Sequence, residues 1–154
     1  LNVHAPDSDF IEYLRHAVAG EQFEWDSVDV EAPSGPSNAQ ITAPGEGDRL
    51  SRREGLTNTV KAETTELSMF FMEFDERWEG VDPHSHDDHV DCFYVLEGEV
   101  DFLAGEETVR LGPGSCFAAP VGATHGFRPV GPTRMLNLHG PDAGFAGRAR
   151  GRTG

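Results

Sequence analysis

His84-Ser85-His86-Asp87-Asp88-His89-Val90-Asp91-Cys92-Phe93-Tyr94-Val95-Leu96-Glu97-Gly98 decides the reading of this chain: three histidines and a carboxylate fall within eight residues and run into an alternating apolar strand that stops at a glycine. Alternate residues of a strand point the same way, so His84 and His86 face together while Ser85 faces away, and Asp91, Phe93 and Val95 share a second inward face. Two imidazoles at i and i+2 with a carboxylate on the next strand converge inside an antiparallel structure. A fourth donor follows in Pro120-Val-Gly122-Ala-Thr-His125, where a turn delivers His125 to the start of another strand. Imidazole with carboxylate suits a divalent transition metal, whether Fe, Mn, Zn, Ni or Cu. Four protein donors on an octahedral ion leave two positions for water, substrate or oxygen.

Outward from this stretch the chain is a succession of short strands. Leu56 to Ala62 and Glu66 to Phe74 precede it; Glu99 to Leu103, Glu107 to Leu111, Ser115 to Ala119, Thr124 to Val130 and Arg134 to His139 follow. Glycine or proline turns separate nearly all of them, which points to an antiparallel sandwich or barrel. Pro44 to Gly55 reads as a charged loop. Cys92 and Cys116 lie in apolar strand-like segments and read as reduced core thiols.

The front of the chain differs. Phe10, Ile11, Leu14, Ala17 and Val18 repeat on one helical face between a cap at Asp7 or Ser8 and Gly20, which predicts a short amphipathic helix. Glu21 to Asn38 then turns acidic and rich in Pro, Gly and Ser, the composition of a linker. The expected organisation is therefore an N-terminal arm over 1–38, a barrel over 39–145, and a flexible tail over 146–154. Residues 1–10 also recur as Leu136 to Phe145, with six of ten positions identical. A tandem two-barrel protein of which this is the rear part, a rearranged gene, or a strand and turn used twice would each produce that repeat.

With 12 Lys plus Arg against 27 Asp plus Glu the formal charge is −15, and Lys61 is the only lysine. Nucleic acid and anionic membrane are thereby excluded as natural partners, leaving a small molecule or another protein. The absence of a long apolar run or a signal-like start makes the cytoplasm the default expectation.

The two spaced motifs resemble those of the cupins. The first family pattern is Gly, five residues, His-x-His, three or four residues, Glu, six residues, Gly; here Gly80, three residues, His84-x-His86, four residues, Asp91, six residues and Gly98 take its place. The second is matched at Gly114, Pro120, Gly122 and His125, with Pro129 where asparagine is usual. The resemblance implies an all-β, double-stranded β-helix jelly-roll with His84, His86, Asp91 and His125 at the metal-ligand positions. Asp91 in place of glutamate withdraws the carboxylate by one methylene, so the metal shifts, a water bridges, or His89 substitutes. His89 has the parity of Asp91, and is otherwise the candidate catalytic acid or base. His139 and Asn137 share a face of the last strand and either line the pocket or finish the sheet. The implied activity is metal-dependent dioxygenase- or isomerase-like chemistry on a small oxygenated compound, with a non-catalytic ligand-binding or sensing module as the alternative. A homodimer is expected on either view.

Overall fold

The computed structural model describes residues 39–151. The chain divides into two compact units, 1–41 and 42–154, and every described strand lies in the second. The expected N-terminal helix, the first copy of the repeat and residues 152–154 lie outside the described residues.

Period-two alternation of apolar side chains organises this unit into ten strands: β1 (Asp48–Arg53), β2 (Leu56–Glu63), β3 (Ser68–Phe74), β4 (Val81–His84), β5 (Val90–Glu97), β6 (Val100–Ala104), β7 (Glu107–Leu111), β8 (Cys116–Ala119), β9 (His125–Pro129) and β10 (Thr133–Gly140). All pairings are antiparallel. They form a six-stranded sheet in the order β1-β2-β3-β10-β5-β8 and a four-stranded sheet in the order β4-β9-β6-β7. One core joins the two: Phe93 of the larger sheet meets Phe102 and Phe127 of the smaller at ring-centroid distances of 5.4 and 5.3 Å. Phe102 is fully buried, and a side chain of that kind contributes about 1.5–3 kcal/mol by leaving water.

Register gives the inner face of the large sheet a polarity gradient. Across β3, β10, β5 and β8 one row reads Ser68, His139, Asp91, Ala119; the next reads Phe70, Asn137, Phe93, Phe117; a third, across β3, β10 and β5, reads Met72, Met135, Val95. The polar end of this face is the end at which β5 begins, so the strand that anchors the core also carries the acid of the sequence cluster.

Four expectations are corrected. Residues 48–53, read as loop, form edge strand β1 against β2; Asp48 and Arg49 are exposed on it, and charge on an edge is how it is kept from pairing with other chains. Cys92 is half-buried and Cys116 exposed, because their parity opposes that of Phe93 and the outer face of the sheet is open. Their sulfurs lie 3.5 Å apart without a disulfide, and burial, then the contact with Cys116, pushes the Cys92 thiol up to about 12. The tail begins as a short helix, α1 (Phe145–Ala149), with Ala146 fully buried and Phe145 edge-on to Phe70 at 4.9 Å. Arg150 then binds Asp48 and Glu63, tying the end of α1 to β1 and β2. Finally, β4 ends at His84, so His86 lies beyond the strand, and its carbonyl accepts from the Gly122 amide at 2.7 Å. Among the described residues no helix is long and apolar enough to cross a membrane.

Candidate metal centre

His84 and His125 are direct cross-strand partners on β4 and β9. Gly126 lets those backbones come together: a Cβ there would stand 2.8 Å from the Val81 carbonyl oxygen. His84 Nδ1 donates to the Asp82 carbonyl at 2.8 Å and His125 Nδ1 to the Ala123 carbonyl at 2.9 Å. A carbonyl only accepts, so each bond fixes a proton on Nδ1 and turns Nε2 toward the interior, the usual orientation of a metal-binding imidazole. The His86 ring reaches the same space from the loop, with its centroid 4.8 Å from that of His84 and 5.3 Å from that of His125.

Asp91 comes from the opposite sheet and uses its two oxygens differently. Oδ1 accepts from Asn137 Nδ2 and faces His139 Nε2 at 3.4 Å, both on β10. Oδ2 lies 3.3 Å from His125 Nε2 and 3.6 Å from His86 Nε2. The shorter side chain thus reaches the histidines directly. Donor atoms of His84, His86, Asp91 and His125 all fall within 4.8 Å of one another, close to twice a metal–donor bond of about 2.1 Å. The residues fit a single transition ion: the imidazole nitrogens are aimed by backbone acceptors, and the carboxylate has one oxygen anchored and one turned to the cluster.

The electrostatics agree with that division. Burial raises the proton affinity of Asp91, but hydrogen bonds from His125, His139 and Asn137, together with the charge of His139, outweigh it and hold the carboxyl well below its ordinary range. The bond to Asp91 raises His125 above the usual imidazole value. Both His125 nitrogens face acceptors, the Ala123 carbonyl and the Asp91 carboxylate, which favours the protonated ring. Burial, followed by the neighbouring His89, lowers His86.

His89, the alternative ligand, is not part of the converging group. It is 3% exposed, its Nδ1 is 2.6 Å from the Asp88 carboxylate, and its ring lies against those of His86 and His139 at 3.9 and 4.9 Å. His89 Nε2 and His139 Nδ1 are buried without hydrogen-bond partners. Of the two readings given to Asn137 and His139 in the sequence, pocket lining is the one the structure displays. Their hold on Asp91 is visible only once β10 is known to lie beside β5, although the shared parity with Phe93 and Asp91 was a signal.

His84, His86 and Asp91 of the cluster line a cavity of about 440 Å³. Leu56, Met72, Trp78, Phe93 and Phe127 are among its apolar walls, and Arg53 and Arg148 stand in its lining with them.

Residues 70–139 match the family model described as a cupin domain. A curated relative, quercetin 2,3-dioxygenase of Bacillus subtilis (strain 168), is 29% identical over 90 residues, which are 57% of this chain and 27% of the relative. The chain therefore spans about a quarter of that enzyme's length. Among solved structures, KdgF from Halomonas sp. is similar with a TM-score of 0.62 and 27% identity, over 67% of this chain and 95% of that one. An RmlC-like cupin from Shewanella frigidimarina NCIMB 400 shares the fold with a TM-score of 0.60 and 21% identity, over 68% and 94% of the two chains.

Proposed function

We propose, for a chain that belongs to the cupin superfamily, a metal-dependent enzyme acting on a small oxygenated compound, with dioxygenase- or isomerase-like chemistry and the two sheets closing round the site as a double-stranded β-helix. The observation that carries this reading is the convergence of four donors, three of which line a cavity of about 440 Å³, the size of an ordinary small-molecule site. Chelation by His84, His86, Asp91 and His125 would hold a divalent transition ion, which supplies Lewis-acid or oxygen chemistry when bound.

The chain's own groups do the rest. Asn137 and His139 keep Asp91 oriented, so that its free oxygen stays toward the cluster. His89, in the wall of the same cavity, is assigned the proton-handling role. The apolar walls exclude water and hold the body of the substrate. Similarity to part of a quercetin dioxygenase supports the dioxygenase form of the reading.

The test is elemental analysis of protein purified without added metal, followed by oxygen-electrode measurements on the loaded protein with a panel of enols and diols. Stoichiometric metal and saturable oxygen uptake are expected. Metal with saturable binding and no consumption of any compound, in oxygen uptake or isomerisation assays, makes the protein a binding module. No retained metal at any supplement overturns the assignment.

A further inference from the structure

The cavity reverses the charge of the molecule. Acidic residues outnumber Lys and Arg by 27 to 12 over the whole sequence. Among the described residues of the cavity lining Asp91 is the single carboxylate, already engaged by Asn137 and three histidines, while Arg53 and Arg148 supply two guanidiniums. Outside the cavity Arg77, Arg110, Arg128, Arg134 and Arg150 each form an ion pair, and exposed Arg49 on β1 forms none among the described residues. Among the described residues no carboxylate lies within ion-pairing distance of Arg53 or Arg148. Arg148 donates only to the Ala143 carbonyl, and Arg53 lies over the Trp78 ring at 5.5 Å.

From this we infer that the cavity takes an organic monocarboxylate, bound with its carboxylate between Arg53 and Arg148 and its oxygen-bearing opposite end toward the histidine cluster. Position supports this. Arg53 ends β1 and Arg148 lies in α1, both exposed, whereas Asp91 and His89 in the same lining are buried. Chemistry supports it too. A guanidinium presents a planar donor fork suited to a carboxylate, and the Arg53 guanidinium, lying over the Trp78 ring, has no carboxylate partner among the described residues to occupy that fork. The apolar walls between the two ends, including Leu56, Met72 and Phe127, call for a body of ring size. The −15 net charge repels an anion at a distance, but screening over about 8 Å at physiological ionic strength leaves the contact to the two guanidiniums. The reading rests on the proposed metal function for the orientation of the oxygen-bearing end, and stands apart from it for the carboxylate.

Calorimetric titration of the full chain with 3-(4-hydroxyphenyl)propionate and with its primary amide tests this, in metal-free and zinc-loaded protein. The two probes share body and hydroxyl end and differ in charge. The carboxylate is expected to bind about tenfold more tightly than the amide at low salt, as charge-assisted pairing allows, with the preference shrinking as salt rises. Arg53→Gln and Arg148→Gln should each remove most of the preference and leave amide affinity unchanged, which also shows that the variants fold. Equal affinities, no binding of either probe, a preference that survives in the double variant, or displacement by equimolar inorganic phosphate would each overturn the proposal. A preference present in protein that retains no metal upholds the carboxylate site while the metal function fails.

Discussion

The two ends of the cavity are built by different means. At the metal end every donor is set by the sheets or by backbone: His84 faces His125 across β4 and β9, Asp91 faces His139 across β5 and β10, and His86 is held through Gly122. At the mouth, Arg53 comes from an edge strand and Arg148 from a five-residue helix, and both side chains are exposed. The first arrangement fixes geometry before a ligand arrives; the second leaves long side chains to adjust to one. A framework that positions chemistry thus coexists with a rim that is free to select.

Metal affinity is the measurement on which the two ends should part most clearly. Asp91→Ala removes the single carboxylate of the cluster and should abolish stoichiometric metal retention, read by elemental analysis, with the far-ultraviolet circular dichroism of the sheets preserved. Retention at parent levels would place the centre elsewhere. Asn137→Ala leaves every ligand in place but removes one of the two groups that hold Asp91 Oδ1; affinity should fall about 10–100-fold, the usual effect of losing an outer hydrogen bond to a ligand. Competition with a chromogenic chelator measures it.

Acid should act in the same direction through His125. Its raised proton affinity means the metal displaces a proton from Nε2, so affinity falls as pH drops, by about tenfold per unit below the folded-state value, which lies above the ordinary 6.5 or so. An indicator dye should report proton release on metal binding at pH below the His125 folded-state value and none well above it. The Asp91 carboxylate contributes the opposite limit: with its folded value depressed, its stabilisation is complete above the unfolded range near 3.9 and is lost only as pH falls toward the folded value. Neutral-to-acid loss of metal therefore precedes acid unfolding, and parallel titrations by chelator and by dichroism separate the two.

Phe145→Ala should change metal affinity least, by less than about threefold, because its ring packs edge-on against His139 at 5.3 Å and touches no ligand itself; it should lower stability by about 1–2 kcal/mol through lost contact with Phe70 and His139. Urea unfolding reads the second effect. A large loss of metal in this variant would show that the mouth and the metal end are mechanically coupled, and the two could no longer be treated as separate constructions.

The metal end was legible in the sequence and the mouth was not, for a physical reason. His84, His86, Asp91 and His125 are announced by spacing, parity and turn glycines, all local properties. The strand β1 carries one apolar side chain of clear inward parity, Leu50, among charges, so periodicity gives it no voice. Helix α1 is too short to show a helical period, and Ala146 is buried by its contacts with the sheet. His86 illustrates the mixed case: the strand argument placed it beside His84 correctly, yet a carbonyl bond to Gly122 holds it there and not strand pairing. The anchoring of Asp91 by Asn137 needs a register between residues 46 apart in sequence, which alternation alone does not supply.

Gly126 does more than permit a close contact. With Val81 oxygen 2.8 Å from where its Cβ would stand, the separation of the strands bearing His84 and His125 is set by an atom that glycine lacks. A methyl at that position would work as a shim, prying the two imidazoles apart without touching either. Ions differ by only a few tenths of an ångström in preferred bond length. With an ion held by the cluster, the spacing that would favour one metal over another would therefore be adjustable from a residue that has no side chain, and Gly126→Ala would widen it.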